Sequence, residues 1–513
     1  MSSTAASVQR GRYVDSVELL AVTRTMRQSE GVEFAAAVMA TPANLDDLRE
    51  QGFTTDELAP GTPNDLVLAV RGEDATLVAN ALERGEQALN PTGSTTAGPP
   101  ARQPRMVRQA VDELVGANVA IVSVPGPYAA LEAHDALAAG LDVLLFSDNV
   151  SVDEEIALKD HAARAGRLVL GPGAGTASLG GCGLGFANAV AAGHVGVVAA
   201  AGTGAQEVMV LLDRWGEGVS HVIGVGGRDL SAAVAGRSAR RAVRALENDP
   251  ATDVVLLVSK PPSPDVATAV VSAAATKPLV AALVGLAPGT TVEGAAAVSS
   301  TLEGGVARVV ELRGGRPPSD WSSWRRAVEG RVGGLGAGRV TVLGLFSGGT
   351  LCYEALTLLQ PLLGPVWSNT PLDDRYHVPA PHGVHVCLDL GEEEYTRGRP
   401  HPMIDAEARL ELLAEAGRRD DVAVVLLDVV LGHGAHPDPA SVLAPACAAL
   451  GAPGGPLVVV YVLGTDRDPQ GLDRQCAGFR EAGCLLAPTS ARAALAAAAI
   501  ALRRPELVEI AMS

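Results

Sequence analysis

The chain has 513 residues, a formal net charge of −18, 47% apolar and 19% charged residues, and only 3% aromatics. An acidic balance of this size, with no Lys/Arg-rich run, argues against a nucleic-acid groove, and the apolar content rules out disorder of the whole chain. The length allows about three or four domains, and the Ala, Val, Leu and Gly that dominate favour buried parallel strands alternating with Ala-rich helices.

The six cysteines are scattered without a C-x-x-C pair, as expected for a reduced, cytoplasmic protein. Neither a signal-peptide core nor an apolar run of about 18 residues is evident, so no membrane span is expected.

In chain order, residues 1–95 read as an N-terminal α/β section, with helical spacing over 16–28 and 75–89 and strands over 32–41 and 65–71. Residues 90–104 are rich in Pro, Gly, Ser and Thr and predict a linker. Residues 105–190 alternate as an α/β section, with strands at 118–125, 141–148 and 167–172 and a capping box at Ser151 and Glu154. Its crossovers imply a parallel sheet with ligands beyond the carboxyl ends of the strands.

Two further α/β domains are expected over 194–312 and 339–507, separated by a Gly/Pro/Arg-rich stretch carrying Trp321 and Trp324. Each begins with an apolar strand that runs straight into a polar turn and a helix. The turns are Gly202-Thr203-Gly204 and Ser347-Gly348-Gly349-Thr350. Free N–H groups and the positive end of a helix dipole converge at such a junction, which suits a phosphate or carboxylate. Two of them imply a duplicated module and a small anionic substrate.

Arg228, Lys260 and Arg399 are the candidate cations for that anion, with a surface charge or interface ion pair as the competing reading of each. Asp389, His401 and His433 lie at or just past strand ends and are candidates for acid–base work. With Arg399 they form the candidate catalytic set. Six histidines between His377 and His436 lack a known ligand spacing, so no metal is expected. Cys352 sits at a helix start without an evident base.

The run Gly349-Thr-Leu-Cys-Tyr-Glu-Ala355 resembles the helix start of the succinyl-CoA synthetase α-subunit. The segments Ala201-Gly-Thr-Gly-Ala-Gln-Glu207, Gly226-Gly-Arg-Asp-Leu-Ser231, Val258-Ser-Lys-Pro-Pro262, Phe346-Ser-Gly-Gly-Thr-Leu351, Gly398-Arg-Pro-His-Pro-Met-Ile-Asp405 and Asp428-Val-Val-Leu-Gly432 more closely resemble FdrA proteins. The resemblance implies an α/β chain: an N-terminal Rossmann-like CoA-binding-type domain, then two flavodoxin-like succinyl-CoA-ligase-type domains with parallel sheets. It also implies a subunit of an oxamate carbamoyltransferase in ureide (allantoin) catabolism, converting oxalurate and phosphate to oxamate and carbamoyl phosphate. Co-encoded partner subunits and an oligomer follow from it.

Two departures stand out. The stretch matching the synthetase's phosphohistidine loop, 291–297, holds no histidine, and near Tyr13 the chain lacks the Gly-rich turn that grips CoA. The residues assign no cofactor, and CoA enters only through the resemblance. No P-loop is present. A nucleoside-diphosphate-forming acyl-CoA synthetase and a non-catalytic ligand-binding subunit are the alternatives.

Overall fold

The computed structural model describes residues 3–512 except 13, 15, 59, 60, 90–103, 288, 398, 399, 452 and 453. The expected linker at 90–104, Tyr13 and Arg399 therefore lie almost wholly or wholly outside the described residues. The chain divides into one unit of residues 1–103 with 397–400, and a second of 104–396 with 401–513.

The first unit carries β1 (Ser3–Gln9), α1 (Ser16–Arg27), β2 (Val32–Met39), α2 (Pro42–Glu50), β3 (Leu66–Gly72) and α3 (Ala75–Ala88). Its sheet has the order β1-β3-β2 and is antiparallel throughout. β3, the central strand and apolar from Leu66 to Val70, has apolar residues packed on both faces.

The second unit opens with α4 (Val107–Glu113), β4 (Val119–Val122), α5 (Gly126–Ala138), β5 (Asp142–Leu145), α6 (Val152–Ala165) and β6 (Val169–Leu170). These form a parallel three-stranded sheet in the order β4-β5-β6. The capping box at Ser151 and Glu154 forms and starts α6.

The first repeat comprises β7 (Thr176–Leu179), β8 (Cys182–Gly185), β9 (Ala192–Ala199), α7 (Gly202–Arg214), β10 (Val219–Gly224), α8 (Arg237–Asn248), β11 (Val254–Ser259), α9 (Pro264–Val271), β12 (Leu279–Leu283), β13 (Ala297–Ser299) and α10 (Leu302–Leu312). The β7–β8 hairpin falls inside the range expected for the Rossmann-like section, but β7 pairs antiparallel with β10 and so belongs to this sheet. The stretch with Trp321 and Trp324 is not all loop. It includes α11 (Ser322–Val332), which buries Trp324 and Val328.

The second repeat comprises β14 (Thr341–Phe346), α12 (Gly349–Leu363), β15 (Val366–Trp367), β16 (His385–Asp389), α13 (Glu393–Thr396), α14 (Glu407–Arg418), β17 (Val422–Val430), α15 (Pro439–Leu450), β18 (Leu457–Leu463), α16 (Leu472–Glu481), β19 (Leu485–Leu486) and α17 (Ser490–Leu502). Its sheet order is β15-β16-β14-β17-β18-β19, and that of the first repeat is β13-β12-β11-β9-β10-β7-β8. Setting aside β7, β8 and β15, both sheets have the doubly wound order 2-1-3-4-5, with the switch point between first and third strands.

One apolar cluster takes in the inner faces of both sheets together with α7, α10, α12 and α17. The Ala-rich α17 is buried from Ser490 to Ala501, small side chains letting it run between layers. The two repeats thus share a core, which fixes where α7 and α12 begin.

Candidate functional site

The two expected helix starts meet. The Thr350 N–H donates to Thr203 Oγ1 at 3.3 Å, so the first turns of α7 and α12 touch. A Cβ on Gly348 would lie 2.8 Å from Thr203 Oγ1, and one on Gly204 would lie 2.9 Å from Thr350 Cγ2. Small residues are needed on both sides of this contact. Among the described residues no acceptor is found for the N–H groups of Gly202, Thr203, Gly204 and Gly349, as the first turn of a helix requires.

Ser347 and Gly348 require a correction. Their N–H groups, expected to hold a substrate anion, are taken by the chain's own carboxylate. Ser347 N–H and Oγ–H donate to Asp428 Oδ1 at 2.7 and 3.0 Å, and Gly348 N–H donates to Oδ2 at 2.9 Å. Asp428 interrupts the otherwise apolar β17, and Arg409 stands 3.7 Å from it, both buried. Burial still pushes the Asp428 carboxyl up, against the lowering effect of Arg409 and these donors.

Arg228 is likewise engaged elsewhere. It pairs with Glu155 at 2.9 Å and donates to the Val150 carbonyl at 2.7 Å. Its neighbour Asp229 shares Lys159 with Glu155, each at 2.7 Å in a buried triad. The interface ion pair, the competing reading of Arg228, is what the fold contains.

Lys260 follows β11 and reaches α12, its Nζ 4.9 Å from the Tyr353 ring centre. It has no ion-pair partner among the described residues, and its charge acts on Asp389 and Cys352. The Asp389 carboxylate abuts Gly349 and accepts from Gly391 N–H at 3.0 Å. Burial, aided by Glu392, raises it to about 6. Cys352 is buried and its thiol is pushed well above the ordinary range, which removes it as a nucleophile.

His401 comes close to the same place. A Cβ on Gly391 would lie 2.8 Å from His401 Nε2 and 3.2 Å from Asp389 Oδ1. The Met403 N–H donates to His401 Nδ1 at 3.2 Å, which assigns the proton of the neutral ring to Nε2. Burial, with Arg409 adding to it, lowers His401 to about 4. Between its ordinary value and pH 4 the unfolded chain takes up a proton that the folded chain refuses, so stability falls as pH drops through that window. His401→Gln is expected to flatten this acid limb in melting temperatures measured from pH 7 to 4.5. An unchanged limb would mean that the ring is protonated in the fold.

His433 is used through its backbone, which bridges to Ala187, the His433 N–H donating at 2.8 Å. Arg399 lies outside the described residues. Among the described residues one group, His382, Asp420 and Asp421, has metal-ligand spacing. Arg419 already binds Asp421 through two nitrogens at 3.0 and 2.6 Å, and Thr341 adds a third contact.

The residues not anticipated from the sequence are Asp428, Glu207 and Glu354. An acid within nine otherwise apolar strand residues was the available signal for the first. For the others it was G-T-x-x-x-E, which occurs at Gly202–Glu207 and again at Gly349–Glu354.

The turn after the first strand of the Rossmann-like sheet follows β4, not the region of Tyr13. There α5 begins Gly126-Pro127, and the carbonyls of Asp148 and Asn149 close on Gly126. With one donor lost to proline and that space filled, these residues do not form a diphosphate cradle for CoA. No described helix is long and apolar enough to cross a membrane.

Comparison with known proteins agrees with this architecture. Residues 345–500 match the CoA-ligase family, and residues 1–104 match the family described as "AllF, heavy metal-associated domain". Residues 1–104 contain neither cysteine nor histidine, so the thiolate and imidazole donors that commonly hold a heavy metal are missing from this stretch. The Methanothermobacter thermautotrophicus succinate–CoA ligase [ADP-forming] subunit alpha is 28% identical over 29% of this chain and 51% of its own length. The ADP-forming sulfoacetate-CoA ligase subunit SauD of Bilophila wadsworthia is 31% identical over 32% of this chain and 58% of its own. The chain thus spans only about half the length of these ligase relatives. The Escherichia coli protein described as "Uncharacterized protein YahF" is 36% identical over 96% of this chain and 97% of its own. This chain belongs to the YahF family, within the succinyl-CoA synthetase-like superfamily.

Proposed function

We propose that the chain is a subunit of an enzyme that forms or cleaves an acyl phosphate, whose anionic end sits where α7 and α12 begin. The observation that supports it is the contact of the two helix starts through Thr203 and Thr350. Gly202, Thr203, Gly204 and Gly349 supply N–H donors, and Lys260 supplies the cation. Asp389 and neutral His401 handle protons beside them. Arg399 and His433 are further candidates on sequence grounds.

Two acyl groups suit such a seat. In the FdrA-like reading the group is carbamoyl: oxalurate and phosphate give oxamate and carbamoyl phosphate, with partner subunits. The absence of histidine from 291–297 and the closed start of α5 favour it. In the second reading the chain is a subunit of an acid–thiol ligase of the nucleoside-diphosphate-forming type. The CoA-ligase match and both ligase relatives favour that one.

The chain purified with its co-encoded neighbours separates them. Carbamoyl phosphate produced from oxalurate and phosphate supports the first, and acyl-CoA produced from an acid, ATP and CoA supports the second. Calorimetry with acetyl phosphate and carbamoyl phosphate tests the shared claim. Lys260→Ala is expected to weaken binding about tenfold, equivalent to about 1.4 kcal/mol. No binding of either acyl phosphate, together with no turnover, would overturn the proposal.

A further inference from the structure

Glu207 and Glu354 are among the most buried acids of the chain, each 1% exposed, and the proposed chemistry does not use them. They occupy equivalent places, each five residues after the glycine that opens its helix, Gly202 in α7 and Gly349 in α12. Each reaches across to the other repeat. The Ser490 N–H, the first of α17, donates to Glu207 Oε1 at 3.2 Å. The Leu302 N–H, the first of α10, donates to Glu354 Oε1 at 2.8 Å.

The first helix of each repeat thus caps the last helix of the other. Thr489, the residue before α17, and Arg492 both bind Glu303 of α10, closing the same junction.

We propose that Glu207 and Glu354 are positioning residues: each fastens the last helix of the opposite repeat, and together they set the spacing at which the starts of α7 and α12 hold an anion. This rests on the reading of those starts as an anion seat. A crossed pair of caps resists both separation and sliding of the repeats, and a merely local cap would stay within its own repeat.

The crossing is sensitive to charge. Burial raises Glu207 to about 7 and Glu354 to about 8, the latter helped by repulsion from Glu207. The facing groups are Glu303 on α10, Tyr461 on β18, Arg214 on α7, and Ser490 and Arg492 on α17. Arg492 is committed to Glu303, and Arg214 donates to the carbonyls of Val462 and Gly464. Glu207 Oε2, Glu354 Oε2 and the Tyr461 hydroxyl make no hydrogen bond of good geometry among the described residues, and the nearby hydroxyls of Tyr461 and Ser490 only partly offset the burial of the two acids. A second negative charge has no cation waiting for it. Folded values above the unfolded one mean that the stabilisation is complete at acid pH and is lost as pH rises through 7 and 8.

The test uses the full chain and sulfate, whose charge is constant over this range. The dissociation constant for sulfate is expected to rise at least tenfold from pH 6 to pH 9. In Glu207→Gln/Glu354→Gln, which keeps the accepting oxygens, only the part of the change that belongs to Asp389 should remain, at least fivefold smaller than in the wild type, with unaltered affinity at pH 6. Equal pH dependence in the two proteins would overturn the proposal. Amide exchange protection at Ser490 and Leu302 is read in parallel without any anion. It should fall between pH 7 and 9 in the wild type and persist in the double variant. If sulfate fails to bind the wild type at all, the anion seat is wrong, and the exchange result alone decides whether the two acids hold the helices.

Discussion

Asp428→Ala is expected to destabilise the second repeat by about 3–5 kcal/mol, the range for removing one partner of a buried ion pair. Two effects combine. Arg409 keeps its bonds to the carbonyls of Asp428 and Pro402, at 2.6 and 2.9 Å, but loses the one carboxylate found beside its buried charge among the described residues. Ser347 and Gly348 lose the acceptor for two N–H groups and a hydroxyl at a site where water does not reach. Each orphaned donor costs about 1–3 kcal/mol. Asp428→Asn should cost less, since one amide oxygen still accepts while its NH2 faces a donor. Urea denaturation followed through Trp367, which lies in the same sheet, measures the loss. A change under about 0.5 kcal/mol, as for an ordinary surface substitution, would mean that a solvent ion can replace Asp428 at no cost.

Arg492→Leu is expected to cost a similar amount, about 3–5 kcal/mol, but the double variant Glu303→Leu/Arg492→Leu should recover much of it. The pair is 3% and 5% exposed, and Arg492 meets both oxygens of Glu303. The single change strands Glu303 in the shared core, whereas two leucines of similar volume leave no charge behind. Recovery will be incomplete. Arg492 also donates to the carbonyls of Val508 and Ile510 at 2.8 Å each, and its guanidinium lies 4.5 Å from the centre of the Trp321 ring. A double-mutant cycle by urea denaturation resolves the coupling. If the double variant is no more stable than the single one, those carbonyl and ring contacts, not the ion pair, hold the junction.

Periodicity and turn chemistry were enough to read the α/β class, the repeats with their opening Gly-Thr turns, and the capping box at Ser151. These depend on neighbours within a few residues: buried strands are continuously apolar, and a helix start needs a polar turn. β1, β7 and β8 left weaker traces. β8 contributes only Cys-Gly-Leu-Gly, and a short hairpin takes its identity from the strand it joins. The occupant of each helix start was another matter. Asp428 lies 81 residues from Ser347, and Ser490 lies 283 from Glu207. Local pattern marks where an N–H group is free but not whether the fold will bring a carboxylate to it.

The fate of the charges follows the same division. Arg228 and Lys260 stand in similar sequence settings, each just past a strand. Packing gives Glu155 to Arg228 and leaves Lys260 over Tyr353 of α12, its charge acting on Asp389 and Cys352. The amino-acid sequence by itself determined that two anion-ready helix starts exist. Only the tertiary structure decided that they touch through Thr203 and Thr350, that Ser347 and Gly348 are already satisfied, and that Glu207 and Glu354 cross between repeats. The physical reason is that a helix dipole and its unpaired donors are local properties of the backbone, whereas their partners are chosen by a core shared between two distant segments.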